Sequence, residues 1–291
     1  MDNPKADSRL TMGSLFSGIG GIELAAERAG FETVFQIEID DYASKVLERH
    51  WPYVTRWRDI YDVRADDILR ATGLEKGQLT VLSGGFPCQP HSVAGLRKAA
   101  DDERDLWPEY RRLIRDLEPR WVVGENVRGL LSSDNGRFFG NVLRDLAALG
   151  YNAGWCMYRA ADVGAVHPRA RVFTFAHADS DSVFDVGYCK TIGGREEGEK
   201  ERCKDWLTIE LSCGGVAPSE WREPGGVYRS LLCRENDGVP YWVDRLKCLG
   251  NAVVPQQAYP LFRAIAEIEL NLITEADLPS VSKQGLFHLE T

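Results

Sequence analysis

Several common features are missing from this 291-residue sequence. It has no run of 18 consecutive apolar residues, so no membrane span is expected. Its opening residues, MDNPKADSRL, are polar and contain no apolar core, so export is not expected either. The cysteines, at positions 88, 156, 189, 203, 213, 233 and 248, form an odd set with no C-x-x-C pair. That argues against a disulfide framework and against a zinc ribbon, and no metal site is expected. Free thiols point to a reducing compartment. The ordinary place of such a thiol is as a small buried hydrophobe, and six of the seven are read that way. A net positive charge is lacking as well. The net charge is -9, and beyond Arg263 the chain carries Glu267, Glu269, Glu275, Asp277 and Glu290 against Lys283. Composition alone leads away from nucleic acid, although a local basic surface can coexist with an acidic body.

What is present is enough apolar sequence, 44%, for a packed core, ordered as alternating strands and helices. Strands are expected at Thr11 to Phe16, Thr33 to Ile39, Leu79 to Leu82, Arg120 to Val123, Tyr151 to Tyr158 and Arg171 to Ala176. Helices are expected at Ile22 to Ala29, closed by Gly30, then about Tyr42 to His50, Leu106 to Leu117, Gly136 to Leu149, and Gln256 to Leu272. This order predicts an α/β fold, a mostly parallel sheet with helices on both faces. Residues 178–242 are rich in glycine, serine and charge with little periodicity, and read as a small irregular domain inserted into the core. The expected organisation is therefore a core of 1–177 and 243–291 interrupted by 178–242.

Two strand ends carry chemistry. Phe16-Ser17-Gly18-Ile19-Gly20-Gly21 follows the first strand, where glycines let a backbone approach a ligand and a helix N-terminus offers free N–H groups. A tight strand-to-helix turn would also use these glycines. Glu38 lies about 20 residues on, where an acid can accept hydrogen bonds from ribose hydroxyls. The pair does not separate a nicotinamide dehydrogenase from an S-adenosylmethionine enzyme, but the spacing is not G-x-G-x-x-G. In "GGFPCQPHSVAG", residues 84–95, the loop after a buried strand exposes Cys88 as a candidate nucleophile. In "WVVGENVRGL" three apolar residues lead to Glu125, a setting that raises a carboxyl pKa, unless the acid only caps a helix or pairs with a cation. "HPRARVF" sets Arg169 and Arg171 on one face of an extended segment, suited to an anion or a carbonyl, or to a plain exposed strand.

Together these stretches resemble the C5-cytosine DNA methyltransferases, over roughly residues 11–177 and 243–260 and in that family's order. "FSGIGG" is similar to its cofactor loop, "GGFPCQPHSVAG" to its nucleophile loop and "DERDLWPEYRRLI" to the helix that follows. "GENVRGL" resembles its Glu-Asn-Val element, "HPRARVF" its two-arginine strand and "LGNAVVPQ" its closing motif. The resemblance implies a Rossmann-like methyltransferase sheet with 178–242 as the target-recognition domain. It implies S-adenosylmethionine as cofactor and S-adenosylhomocysteine as product. Cofactor contacts would come from Phe16, Gly18, Ile19, Gly20, Gly21, Glu38, Ile39, Asp59, Ile60, Pro87, Leu106, Asn251 and Ala252. Cys88 would attack cytosine C6, Glu125 would act at N3, Arg171 would hold the cytosine carbonyl or nearby backbone, and Arg169 would orient Glu125 or a phosphate. Gln89 and Ser92 would contact DNA.

The implied partner is duplex DNA bound by a monomer, with a cognate restriction endonuclease as a candidate second partner. The setting is the cytoplasm of a bacterium or of a phage host. Departures from the family pattern stand at Arg58, where glycine is frequent, at His91, where phenylalanine is usual, and at His167, where glutamine is common. A tRNA cytosine methyltransferase of the same family is disfavoured because no Cys-Phe-Thr element occurs. A catalytically inactive binding homologue is disfavoured because Pro-Cys and Glu-Asn-Val are both retained.

Overall fold

A computed structural model describes residues 9–87, 105–165, 169–178 and 252–270. Seven strands form one sheet: β1 Thr11–Leu15, β2 Glu32–Ile37, β3 Thr55–Trp57, β4 Val81–Gly84, β5 Trp121–Val127, β6 Asn152–Arg159 and β7 Ala170–His177. Among the described residues six α-helices accompany them: α1 Gly21–Arg28, α2 Asp41–His50, α3 Ala65–Thr72, α4 Trp107–Leu117, α5 Arg137–Ala148 and α6 Pro255–Glu269. The strand order is β3-β2-β1-β4-β5-β7-β6. The pairs from β3 through β5 are parallel, and β7 runs antiparallel to both of its neighbours. The fold is the expected mostly parallel, Rossmann-like sheet. Among the described residues no helix is long and apolar enough to cross a membrane.

Both sheet faces are covered, so the central strands are buried along their whole length rather than alternating in polarity. Successive residues serve opposite faces. Leu82 and Val122 join a cluster with Ile68 of α3, Leu113 of α4 and Val142 of α5. Val81 and Val123 join a second cluster with Ala25 of α1 and Phe262 of α6. Cys156 on β6 is buried in that second cluster, the place expected of a non-catalytic cysteine.

Two elements have no counterpart in the sequence reading. β3 is three half-buried residues at the sheet edge, too short to show a period. α3 is eight residues whose buried positions are Ala65 and Ile68. β5 also runs past its expected end. Glu125 and Asn126 lie inside the strand, because β7 pairs with it as far as Val127.

A carboxylate is sealed behind the first strand. Glu23 of α1 is fully buried and faces β1 and β2, accepting a bond from Gln36 Nε2 at 3.2 Å, with the Ser14 and Ser17 hydroxyls beside it. Its Oε2 has no partner in hydrogen-bonding geometry. Burial therefore outweighs these neighbours and pushes the pKa up to about 6. Since the folded value is the higher one, Glu23 favours the native state below pH 4.5, and that contribution is lost as pH rises towards 6. Glu23→Gln should thus stabilise the protein by about 2 kcal/mol at pH 7.5 and have no such effect at pH 4, as read by urea denaturation at both pH values.

Helix α6 closes the second face by packing along α1. A Cβ on Gly21 would lie 2.4 Å from the Val253 carbonyl oxygen, so the segment before α6 sits directly on the start of α1. Gly21→Ala should cost about 1–3 kcal/mol of stability, because backbone rather than a flexible side chain would have to move. An unchanged denaturation midpoint would show that the contact is not tight.

Candidate active site

The chain reverses its winding direction between β1 and β4, and ligands of open α/β sheets bind beyond the strand carboxyl ends at such a point. The sequence-derived candidates gather there. Phe16 to Gly21 follow β1, Glu38 follows β2, Asp59 follows β3, Pro87 follows β4 and Glu125 lies near the end of β5. Cys88, Gln89, His91, Ser92, His167 and Asn251, with residues 179–242 of the expected insert, lie outside the described residues.

The glycine loop and Glu38 form one hydrogen-bonded unit. Gly18 N–H donates to Glu38 Oε2 and Asp40 N–H to Oε1, both at 2.7 Å. Burial raises the Glu38 pKa, and these two backbone donors oppose the rise. The carboxylate is thus oriented by the loop it serves, with lone pairs left over for further donors. Phe16 takes a left-handed backbone conformation, φ +54°, unusual for a residue with a Cβ. Ile19 and Leu106 are half-buried, Pro87 is exposed, and Ile39 is 67% exposed, a high value for an isoleucine. Asp59 Oδ1 accepts the Tyr61 N–H at 3.0 Å, capping a 3-10 turn, and the Ile60 side chain is buried in the core beneath.

Glu125 is 7% exposed and lies 2.8 Å, Oε1 to Nε, from Arg171, itself almost buried. The sheet register explains the contact. Glu125 is opposite Phe173 and Val127 opposite Arg171, so acid and base are diagonal neighbours on one face. Because β7 is antiparallel, its first residues reach the edge where β5 ends. Arg169 takes a different partner: its Nη2 donates to the Ala252 carbonyl at 2.6 Å. Burial raises the Glu125 pKa to about 7, against the lowering effects of Arg171 and then Arg169. A carboxyl that holds its proton at neutral pH can act as an acid.

Three residues that sequence reasoning gave no role complete the frame. A Cβ on Gly85 would stand 2.9 Å from Glu125 Oε2, so a side chain there would push the carboxyl from its present position. Asn126 Nδ2 donates to the Phe86 carbonyl at 2.8 Å, tying β5 to the segment that runs into Cys88. Tyr110 is fully buried, and its hydroxyl lies 3.0 Å from both the Leu82 and the Val123 carbonyl. Its ring meets Phe16 edge-on at 6.3 Å and Phe86 at 6.1 Å, joining the glycine loop to the cysteine loop. In the sequence Tyr110 is one more aromatic on a helix, and nothing local marks it.

The chain is 37% identical over 160 residues to the type II methyltransferase M.NgoMIV of Neisseria gonorrhoeae, covering 55% of this chain and 49% of that protein. It is 33% identical over 161 residues to M.FnuDI of Fusobacterium nucleatum, covering 55% and 44% respectively. It therefore spans about half the length of these curated relatives. A prophage-encoded protein of E. coli, described as a DNA modification methyltransferase, superposes with a TM-score of 0.50 and 27% identity, over 58% of this chain and 46% of that one. Residues 10–205 match the model of the C-5 cytosine-specific DNA methylases. More than half of the chain is matched, including both strand ends that frame Glu125 and the cysteine loop, and the chain belongs to that family.

Proposed function

We propose that the chain methylates C5 of cytosine within a specific duplex DNA sequence, using S-adenosylmethionine. The observation that carries this reading is Glu125: a buried carboxyl whose pKa stands at about 7, beside the strand that leads into Cys88. The glycine loop suits the methyl donor. A Cβ on Gly18 would meet nothing within 4 Å, Ile39 offers an exposed apolar surface, and Glu38 supplies an oriented acid. Bound there, S-adenosylmethionine supplies an electrophilic methyl group. Phe16 and Ile39 would cover the adenine, Glu38 would accept the ribose hydroxyls and Asp59 the adenine amine. Gly18, Gly20, Gly21, Pro87, Leu106, Asn251 and Ala252 would shape the rest.

The protein's own steps concern the base. Cytosine must leave the duplex to be reached, and residues 178–242 are assigned to gripping the DNA while it does. Cys88 thiolate adds to C6 as Glu125 delivers its proton to N3, which leaves C5 nucleophilic. After C5 takes the methyl group, a base removes the C5 proton, the C5–C6 double bond re-forms as the thiolate leaves, and N3 returns its proton to Glu125. Arg171 holds Glu125 in place, and Arg169 anchors the closing segment through Ala252. Gln89 and Ser92 are assigned to DNA contacts. The reading extends to a bacterial or phage-host cytoplasm, a monomer, and a restriction endonuclease as partner.

Transfer of labelled methyl from S-adenosylmethionine to duplex DNA tests the reading, with bisulfite sequencing to locate the base. Cys88→Ala should abolish transfer yet still bind S-adenosylhomocysteine; full activity would overturn the assignment. Transfer to tRNA in place of DNA would overturn the substrate. Glu125→Gln should slow turnover by about 10²–10⁴-fold. In the wild type, kcat/KM should fall as pH rises through about 7, where Glu125 gives up its proton, and Glu125→Gln should lack that limb.

A further inference from the structure

Arg58 stands at the end of β3 and reaches across to the loop after β2. Its Nε donates to the Glu38 carbonyl at 3.0 Å. Its Nη2 donates to the Ile39 carbonyl and, at 2.6 Å, to Asp41 Oδ1. One guanidinium therefore holds three successive parts of the loop that carries Glu38 and Ile39. The inner side of the same loop is held separately, by Gly18 N–H on Glu38 Oε2 and by Asp40 N–H on Oε1. The backbone of Glu38 and Ile39 is thus fixed from outside through its carbonyls, while the Glu38 carboxylate is oriented from inside and the Ile39 side chain is left exposed. Ile39 needs such support. It is 67% exposed, and an apolar side chain with little packing of its own keeps its direction only if its backbone is fixed.

We infer that Arg58 is a positioning residue for the cofactor: its fork pre-sets the loop so that Glu38 and Ile39 meet the nucleoside part of the ligand without paying an ordering cost on binding. This rests on the S-adenosylmethionine reading above. The fork matters because a planar guanidinium can serve two carbonyls and a carboxylate together, whereas a lysine ammonium acts as a point charge. Arg58 is half exposed, its side chain being 48% accessible, so the role is local to the loop and global stability does not depend on it.

The test uses the full 291-residue chain and two readouts. In the ligand-free protein, Arg58→Ala should speed amide exchange over residues 38–41 with little change in melting temperature. By titration calorimetry, the same variant should bind S-adenosylhomocysteine about tenfold more weakly. In assays, KM for S-adenosylmethionine should rise with kcat nearly unchanged. Arg58→Lys should behave like Arg58→Ala. If Lys restores wild-type affinity, charge alone is at work and the fork is overturned. Unchanged loop exchange and unchanged affinity in Arg58→Ala would overturn the inference while leaving the cofactor reading intact. A wild-type chain that binds no S-adenosylhomocysteine would overturn the cofactor reading, and the ligand role of Arg58 with it.

Discussion

The contact between Glu125 and Arg171 sets the conditions for everything around it. Removing a carboxylate from water costs several kcal/mol, and one guanidinium offsets that only in part. The surplus appears as a pKa near 7 instead of a depressed one. Gly85 lies against the acid, where a Cβ would stand 2.9 Å from Glu125 Oε2, and the antiparallel β7 brings its first residues to the end of β5. The segment before α6 is held against the same edge by Arg169 on Ala252 and by Gln257 on the Arg169 carbonyl.

The two halves of the site are linked through packing. Tyr110 lies under both, touching Phe16 on one side and Phe86 on the other, with its hydroxyl between the carbonyls of β4 and β5. A buried hydroxyl set between two carbonyls favours this arrangement of the strands, since moving both acceptors away would leave its proton without a partner. The glycine loop is tied to β2 through Glu38 and, behind the sheet, Glu23 and Gln36 join α1 to the same strand. Three buried carboxyls with raised pKa values therefore serve different ends: Glu125 lies at the site, Glu38 is oriented by the glycine loop, and Glu23 is sealed against β1 and β2.

Most of the sheet was readable from the sequence because its strands are short apolar runs set off by glycines and by helices of clear period. β1, β2 and β4 appear close to where the pattern put them. β3 was not legible, since three half-buried residues carry no period, and α3 has only two buried positions. The site residues were legible as types: a thiol between prolines, an acid after an apolar run, and two arginines one residue apart. Their pairing was not. The sequence reading gave Arg169 the task of orienting Glu125 or a phosphate, and in the fold it is Arg171 that touches the acid while Arg169 bonds the Ala252 carbonyl.

The sequence by itself determined the alternation of strands and helices, the glycine turn after β1, and which side chains could carry acid, base and nucleophile chemistry. These depend on local period and on residue type, both written along the chain. Only the tertiary structure decided that Glu125 would be buried enough for its pKa to rise, that Gly85 would lie against its carboxyl, and that Arg58 would strap the Glu38 loop. Each of those depends on which strand lies beside which. Residues far apart in sequence become neighbours through sheet order and register, and neither is encoded in any single segment.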